Sequence, residues 1–197
     1  MRIQRLFSYA FAVCLVSLLA GTAMANDGSG QFNALLKGKY QFNIIQSCTT
    51  SDTAPGFNGL VSLGQGQTDP ASFTGVITYD GKGNATQTDH GIFLSGVPHG
   101  AGSSPVDTFQ EECHYTYAVA RDGSFSQEGS CTGVGGGGPY KLSGDKWKGQ
   151  IAHGGLILTM NQVGTDVSTL EIPPPPTTSF TQYRICGSVG TSVRIQP

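Results

Sequence analysis

The residues that could do chemistry are few and scattered. Four histidines occur, His90, His99, His114 and His153, and no two stand two residues apart, so no single strand presents a pair on one face. A metal centre needs ligands that converge from several elements, and the spacing supplies none. No metal and no cofactor is expected. Glu111 and Glu112 are adjacent, so on a strand they point to opposite faces. Glu111 then shares the face of Cys113. A buried acid there would orient a polar ligand or act as a general acid or base with a raised pKa. The plainer expectation is a solvated carboxylate at a strand end, because charged side chains are rarely buried. No Gly-x-Ser-x-Gly turn follows a strand and opens a helix, so nucleophilic hydrolysis has no local support. The glycine run 133–138 cannot cradle phosphate without a helix N-terminus behind it, and Pro139-Tyr140-Lys141 reads as a strand. The chain is not expected to be an enzyme.

These side chains sit on strands, and the stretch 109–132 shows how. Asp122-Gly123 is a turn dipeptide flanked by residues that alternate with period two. A three-residue loop with Gly123 in the left-handed conformation sets Val119 opposite Phe125, Tyr117 opposite Gln127, Tyr115 opposite Gly129 and Cys113 opposite Cys131. The apolar side chains then share one face. A second hairpin of the same make runs over 72–94 around Asp80-Gly81-Lys82-Gly83-Asn84. Strands are also expected at 38–48, 57–63, 140–142, 146–152, 156–161, 167–172, 179–187 and 191–195. Ser143-Gly144-Asp145 reads as a turn, 26–31 as a loose leader, 98–105 as a loop and the prolines 173–176 as an extended connector.

The amino terminus carries Arg2 and Arg5, an apolar run over 6–20 and Ala23-Met24-Ala25. This is the pattern of a Sec-type signal peptide, residues 1–25, ahead of a single domain, 26–197. The expected location is therefore periplasmic or extracellular. The whole chain has 11 basic and 13 acidic residues; without the two arginines of the leader, 9 minus 13 gives −4. That balance argues against nucleic acid as a partner. Of the five cysteines, Cys14 falls in the leader, which leaves Cys48, Cys113, Cys131 and Cys186 for two disulfides in an exported protein. The hairpin register pairs Cys113 with Cys131. Cys48 and Cys186 then join the first strand to the last long one and lock a barrel seam.

The fold class expected is all-β: an antiparallel up-and-down β-barrel of about eight to ten strands, stapled by disulfides. A membrane-spanning barrel is the competing architecture. Two disulfides, and an end at 193–197 without a terminal aromatic residue, weigh against it, so no membrane insertion is expected. The inward set comprises Tyr40, Phe42, Ile44, Tyr115, Tyr117, Phe125, Gln127, Phe180, Gln182 and Arg184. Such a set lines a ligand cavity or fills a small barrel solid.

Gly38-Lys39-Tyr40 opening the first strand and Arg184 in the last long one make the chain similar to the lipocalin (calycin) family. There a Gly-x-Trp opens the barrel and an arginine covers the indole; Tyr40 stands where the family has tryptophan. The Gly38-Lys39-Tyr40-Gln41-Phe42 opening and the Asp80–Asn84 turn also resemble secreted bacterial barrels of the calycin and allene-oxide-cyclase-like kind. The resemblance implies a barrel whose Tyr40 and Arg184 plug one end. The working expectation is that Tyr40, Phe42, Tyr115, Tyr117, Phe125, Gln127 and Arg184 bind a small, partly apolar ligand. The alternatives are a solid-cored structural or surface-interaction protein, and a cofactor-free isomerase or cyclase.

Overall fold

In the computed structural model the described residues are 30–51, 67–94, 106–136, 138–162, 167–172 and 180–197. The hairpin at the centre of the sequence forms as its pattern requires. Strands β4 (Val106–Val119) and β5 (Ser124–Gly135) pair antiparallel, with Cys113 opposite Cys131, Tyr115 opposite Gly129 and Val119 opposite Phe125. Gly123 has φ +82°, and its N–H donates to the Ala120 carbonyl at 3.0 Å. The Asp122 carboxylate fixes the turn by accepting from the Ser124 N–H at 2.9 Å and its hydroxyl at 2.7 Å. Strands β2 (Gln67–Asp80) and β3 (Asn84–Leu94) repeat the device. Asp80 Oδ1 accepts from the N–H groups of Lys82, Gly83 and Asn84 at 2.6, 2.9 and 3.0 Å.

The remaining strands are β1 (Lys37–Ser51), β6 (Gly138–Ala152), β7 (Ile157–Gln162), β8 (Val167–Ile172) and β9 (Phe180–Gln196). From β1 to β7 each strand pairs with the next in sequence, and β1 pairs with β9 along its length, so the sheet closes on itself. β7 and β8 lie end to end between β6 and β9, and both pair with each of them. Nine strands thus fill eight positions in the wall. An eight-position barrel is just wide enough for side chains to fill its interior. The tight turns after β2, β4 and β6 lie at the end that holds both Lys37 and Gln196. The connections 52–66, 95–105 and 173–179 all leave from the other end.

Two expected breaks are absent. The residues read as a turn at Ser143-Gly144-Asp145 lie inside β6, and the two segments at 179–195 are one strand, β9. In β6 the irregularity is a bulge: Gly129 faces Asp145 and Ser130 faces Ser143, leaving Gly144 unpaired at φ +70°. One extra residue bends a strand and re-aims the side chain that follows it. At the turn end a short 3-10 segment, Asn33–Leu35, closes the barrel. Asn33 Oδ1 accepts from the Val119 N–H at 2.9 Å, and the Leu36 carbonyl accepts from the Tyr117 hydroxyl at 2.8 Å. The leader 1–25, the strand expected at 57–63, the loop 98–105 and the prolines 173–176 lie outside the described residues.

Alternation sorts the side chains by face. Tyr40, Phe42, Ile44, Ile77, Tyr79, Tyr115, Tyr117, Val119, Phe125, Trp147, Leu158 and Met160 are buried in one interior cluster. Tyr79 meets Tyr40, Tyr117 and Phe125 edge-on, with ring centroids 5.6, 5.0 and 6.4 Å away. Such contacts add to the burial of aromatic area.

Candidate functional site

The interior divides along the barrel axis. The half nearer the tight turns is aromatic, and its hydroxyls end on protein groups. Tyr40 donates to the Gly155 carbonyl at 2.7 Å, and Tyr79 to Gln127 Oε1 at 2.8 Å. The half nearer the long connections mixes apolar side chains, Phe73, Phe93, Phe109, Leu142 and Trp147, with a layer of polar ones. Gln46, Gln87, Asp89, Asp145 and Arg184 are all buried there, and Glu111 joins them at a partly covered position.

Asp145 anchors this polar layer. It accepts from the Tyr115 hydroxyl at 2.7 Å, from Trp147 Nε1 at 2.6 Å, and from the Gln162 side-chain amide. Gln162 Oε1 in turn accepts from Gln46 Nε2 at 2.8 Å and from the Ser188 hydroxyl at 2.9 Å. Arg184 Nη2 donates to Gln46 Oε1 at 3.3 Å and lies 3.0 Å from Cys48 Sγ. On the facing wall Gln87 Nε2 donates to Asp89 Oδ2 at 2.6 Å, and the Tyr140 hydroxyl to Glu111 Oε1 at 2.6 Å. Asp89 Oδ1 has no partner among the described residues.

Three carboxyls crowd this layer, and the Arg184 guanidinium acts on two of them, Glu111 and Asp145. Burial pushes Glu111 up to about 7, and the charge of Asp89 adds to the push against the Tyr140 hydrogen bond. Asp89 is pushed up to about 6, again by burial first, with the Gln87 hydrogen bond opposing and Asp145 adding. Burial also raises Asp145, although Trp147, Tyr115 and Arg184 all favour its ionised form. Asp89 and Glu111 face each other in register on β3 and β4, which is why neither ionises independently.

The sequence-derived site residues fall into two groups. Tyr115 and Arg184 border an interior cavity with Gln46, Gln87, Glu111 and Asp145; its volume is about 20 Å³, room for a single water. Tyr40, Phe42, Tyr117, Phe125 and Gln127 are packed below it, each 5% exposed or less. Glu111, expected as a solvated acid at a strand end, is instead turned into the interior. The aromatic–guanidinium plug does not form. Tyr40 pairs in register with Arg194, whereas Arg184 pairs with Thr50, ten positions further along β1, or about 33 Å at the rise of a strand. Gly129 leaves no vacancy either: a Cβ there would meet the His114 carbonyl and lie 2.6 Å from Tyr115 Cδ1. The tyrosine ring already occupies that space.

Asp89, Asp145, Gln46, Gln87 and Gln162 were missed by sequence reasoning. Asp89 and Gln87 share the parity of Ala85 on β3, a readable signal. Asp145 was hidden because the bulge at Gly144 breaks the alternation. Glu111, Cys113 and Cys131 place donor atoms within 4.8 Å of one another, but both sulfurs are consumed in the Cys113–Cys131 disulfide, so this group cannot hold a cation while the bridge is intact. The second bridge, Cys48–Cys186, joins β1 to β9 as expected.

No family model and no curated protein matches the chain. Among solved structures, the crystal structure of Neisserial surface protein A is similar, with a TM-score of 0.51 and 11% identity. The likeness covers 81% of this chain and 98% of that one. It shows a shared barrel fold; the calycin resemblance gains no support from it.

Proposed function

We propose that this protein is an exported, solid-cored β-barrel, a rigid wall whose end at Ser51, Leu94 and Ile172 is turned to a macromolecule. The observation that carries this reading is the interior. The cavity inside the barrel is about 20 Å³, whereas small-molecule sites run to several hundred. Two larger hollows, about 700 Å³ along β3–β5 and about 480 Å³ along β1–β4, are open to solvent rather than enclosed. Around the interior cavity the aromatic rings interlock and the tyrosine hydroxyls end on protein acceptors. The solid-core alternative therefore fits better than the ligand cavity expected from the inward aromatics. Catalysis is not part of this reading: Glu111 has the titration of a general acid or base, but the space beside it suits proton exchange with one water.

The wall faces water in this proposal. A barrel that crosses a bilayer carries an outward apolar band about 25 Å tall. Here Glu112, His114, Glu128, Lys141, Lys146 and Lys148 stand exposed on the outer face. A place in the cell envelope or outside it agrees with the name of the structural neighbour, a surface protein, and with the leader read from the sequence.

Two measurements test the reading. Native mass spectrometry of protein purified from its own host should give the bare chain, and titration with a fatty acid or an apolar fluorescent probe should show no saturable binding. A co-purifying small molecule, or one-to-one binding of the probe, would return the ligand-cavity reading.

A further inference from the structure

The tight-turn end of the barrel combines a basic rim with apolar tips. Lys37 and Lys39 open β1, Lys82 and Arg121 stand in the turns after β2 and β4, and Arg194 lies near the end of β9. Contacts show that these segments meet. Lys37 pairs with Asp80, and a Cβ at Gly81 would lie 3.3 Å from the Lys37 side chain. The Arg194 N–H donates to the Leu156 carbonyl at 2.8 Å. The short 3-10 segment lies across the end: Asn33 reaches Val119, and a Cβ at Gly155 would lie 2.9 Å from the Leu35 carbonyl. At this same end Leu35, Leu156 and Ile195 stand 47, 53 and 50% exposed.

Charge is sorted to match. The rim's side chains are five basic and two acidic, Asp80 and Asp122, and five minus two gives +3. Both acids are turned back onto their own turns, Asp80 accepting from three backbone N–H groups and Asp122 from Ser124. Elsewhere the described residues hold four basic side chains against eight acidic ones, and four minus eight gives −4. A weakly acidic whole thus contains one basic end.

We propose that this end docks on the surface of a bilayer containing anionic phospholipid, with Leu35 and Leu156 entering the headgroup region and the basic rim lying over it. Charge complementarity calls for an anionic partner. Exposed leucines among the basic residues favour lipid over a soluble polyanion, because interfacial binding draws on buried apolar area as well as on charge. Chain connectivity agrees: residues 1–29, with their apolar run over 6–20, join the barrel at this end through Gly30, whose carbonyl accepts from the Asn33 N–H. This end lies opposite the one that the proposed function turns to a macromolecule, so either reading can fail without the other.

Flotation with lipid vesicles tests it. The apolar run would bind lipid by itself, so the protein used is the chain from Asn26 on, which keeps the whole described barrel and its cap. It should float with vesicles containing phosphatidylglycerol and stay behind with pure phosphatidylcholine. Salt at about 0.5 M, where charges are screened within a few ångström, should release it. Each basic residue at an anionic surface is worth about fivefold in partitioning, so Lys37→Gln, Lys82→Gln and Arg121→Gln together should weaken binding about 100-fold. Leu35→Ser with Leu156→Ser should also release the protein, whereas Lys141→Gln with Lys146→Gln, on the wall, should change nothing. A wild type that does not float overturns the proposal, as does flotation that survives loss of the rim charges. Retention on heparin that needs those charges, with flotation indifferent to the leucine changes, also overturns it and makes the partner a soluble polyanion. Should the variants misfold, a photo-crosslinker placed at 35 or at 132 in the wild-type background decides the matter. Lipid adducts from 35 support this end, and adducts only from 132 reject it.

Discussion

The Tyr140 hydroxyl reaches Glu111 Oε1 at 2.6 Å across the strand that stands between them. In register, Glu111 faces Gly133 and Gly133 faces Tyr140. The ring crosses β5 because that position has no side chain. A Cβ at Gly133 would lie 2.6 Å from Tyr140 Cζ and 2.7 Å from its hydroxyl. Three adjacent strands are thereby tied through one hydrogen bond on the inner face.

Tyr140→Phe should therefore act in a pH-dependent way. It removes a donor that favours ionised Glu111, so the Glu111 titration should move further above 7. Hydrogen bonds to charged groups contribute about 1.5–3 kcal/mol. The loss should approach that at pH 8 and shrink at pH 5, where Glu111 is protonated. Urea unfolding at both pH values measures it, and equal losses would show that the ring's packing, not its hydroxyl, is what matters.

Gly133→Ala and Gly129→Leu should both destabilise, by about 1–3 kcal/mol each, the usual cost of overpacking. The two glycines face different tyrosines, Tyr140 and Tyr115, whose rings occupy the space a side chain would need. Denaturant midpoints test this. A Gly129→Leu protein as stable as the wild type would mean that the interior holds an unfilled space.

Stability should rise as the pH falls from 8 to 5. Glu111, at about 7, and Asp89, at about 6, both lie above ordinary carboxyl values, so the folded state binds protons that the unfolded state has released. That stabilisation is complete below the unfolded pKa values and is lost as the pH rises through 6 and 7. Together the two groups amount to about 4 kcal/mol over this window. Thermal melts across the range should show the slope, and Glu111→Gln should remove most of it. Arg184→Met should steepen it, because Arg184 is the cation that lowers the Glu111 pKa.

The two disulfides should differ in worth. Cys48–Cys186 spans 138 residues and Cys113–Cys131 spans 18, and loop closure assigns about 4–5 and about 3 kcal/mol respectively. Replacing the first pair with alanine should therefore cost more than replacing the second. Urea midpoints in the reverse order would place the seam's stability in its β1–β9 ladder alone.

The local pattern in the sequence was enough to determine the two hairpins, the register of the 109–132 hairpin and the bridge within it. Asp122-Gly123 sets one turn, period-two alternation sets the faces, and together they place Cys113 opposite Cys131 with no long-range information. Closure made Cys48 and Cys186 neighbours once the first and last strands were taken as adjacent. Only the tertiary structure decided what the inward face does. Alternation says which side chains point in, but not whether the rings from eight positions meet, and here they fill the bore to one water. It also decided the polar layer. Asp145 enters the interior because the bulge at Gly144 shifts β6 by one residue, and a shift of one inverts the face of every side chain beyond it. The opening residues Tyr40 and Arg184 were paired by resemblance, yet the β1–β9 register sets them about ten residues apart along the wall. Register is a property of two strands at once, which no single stretch of sequence contains.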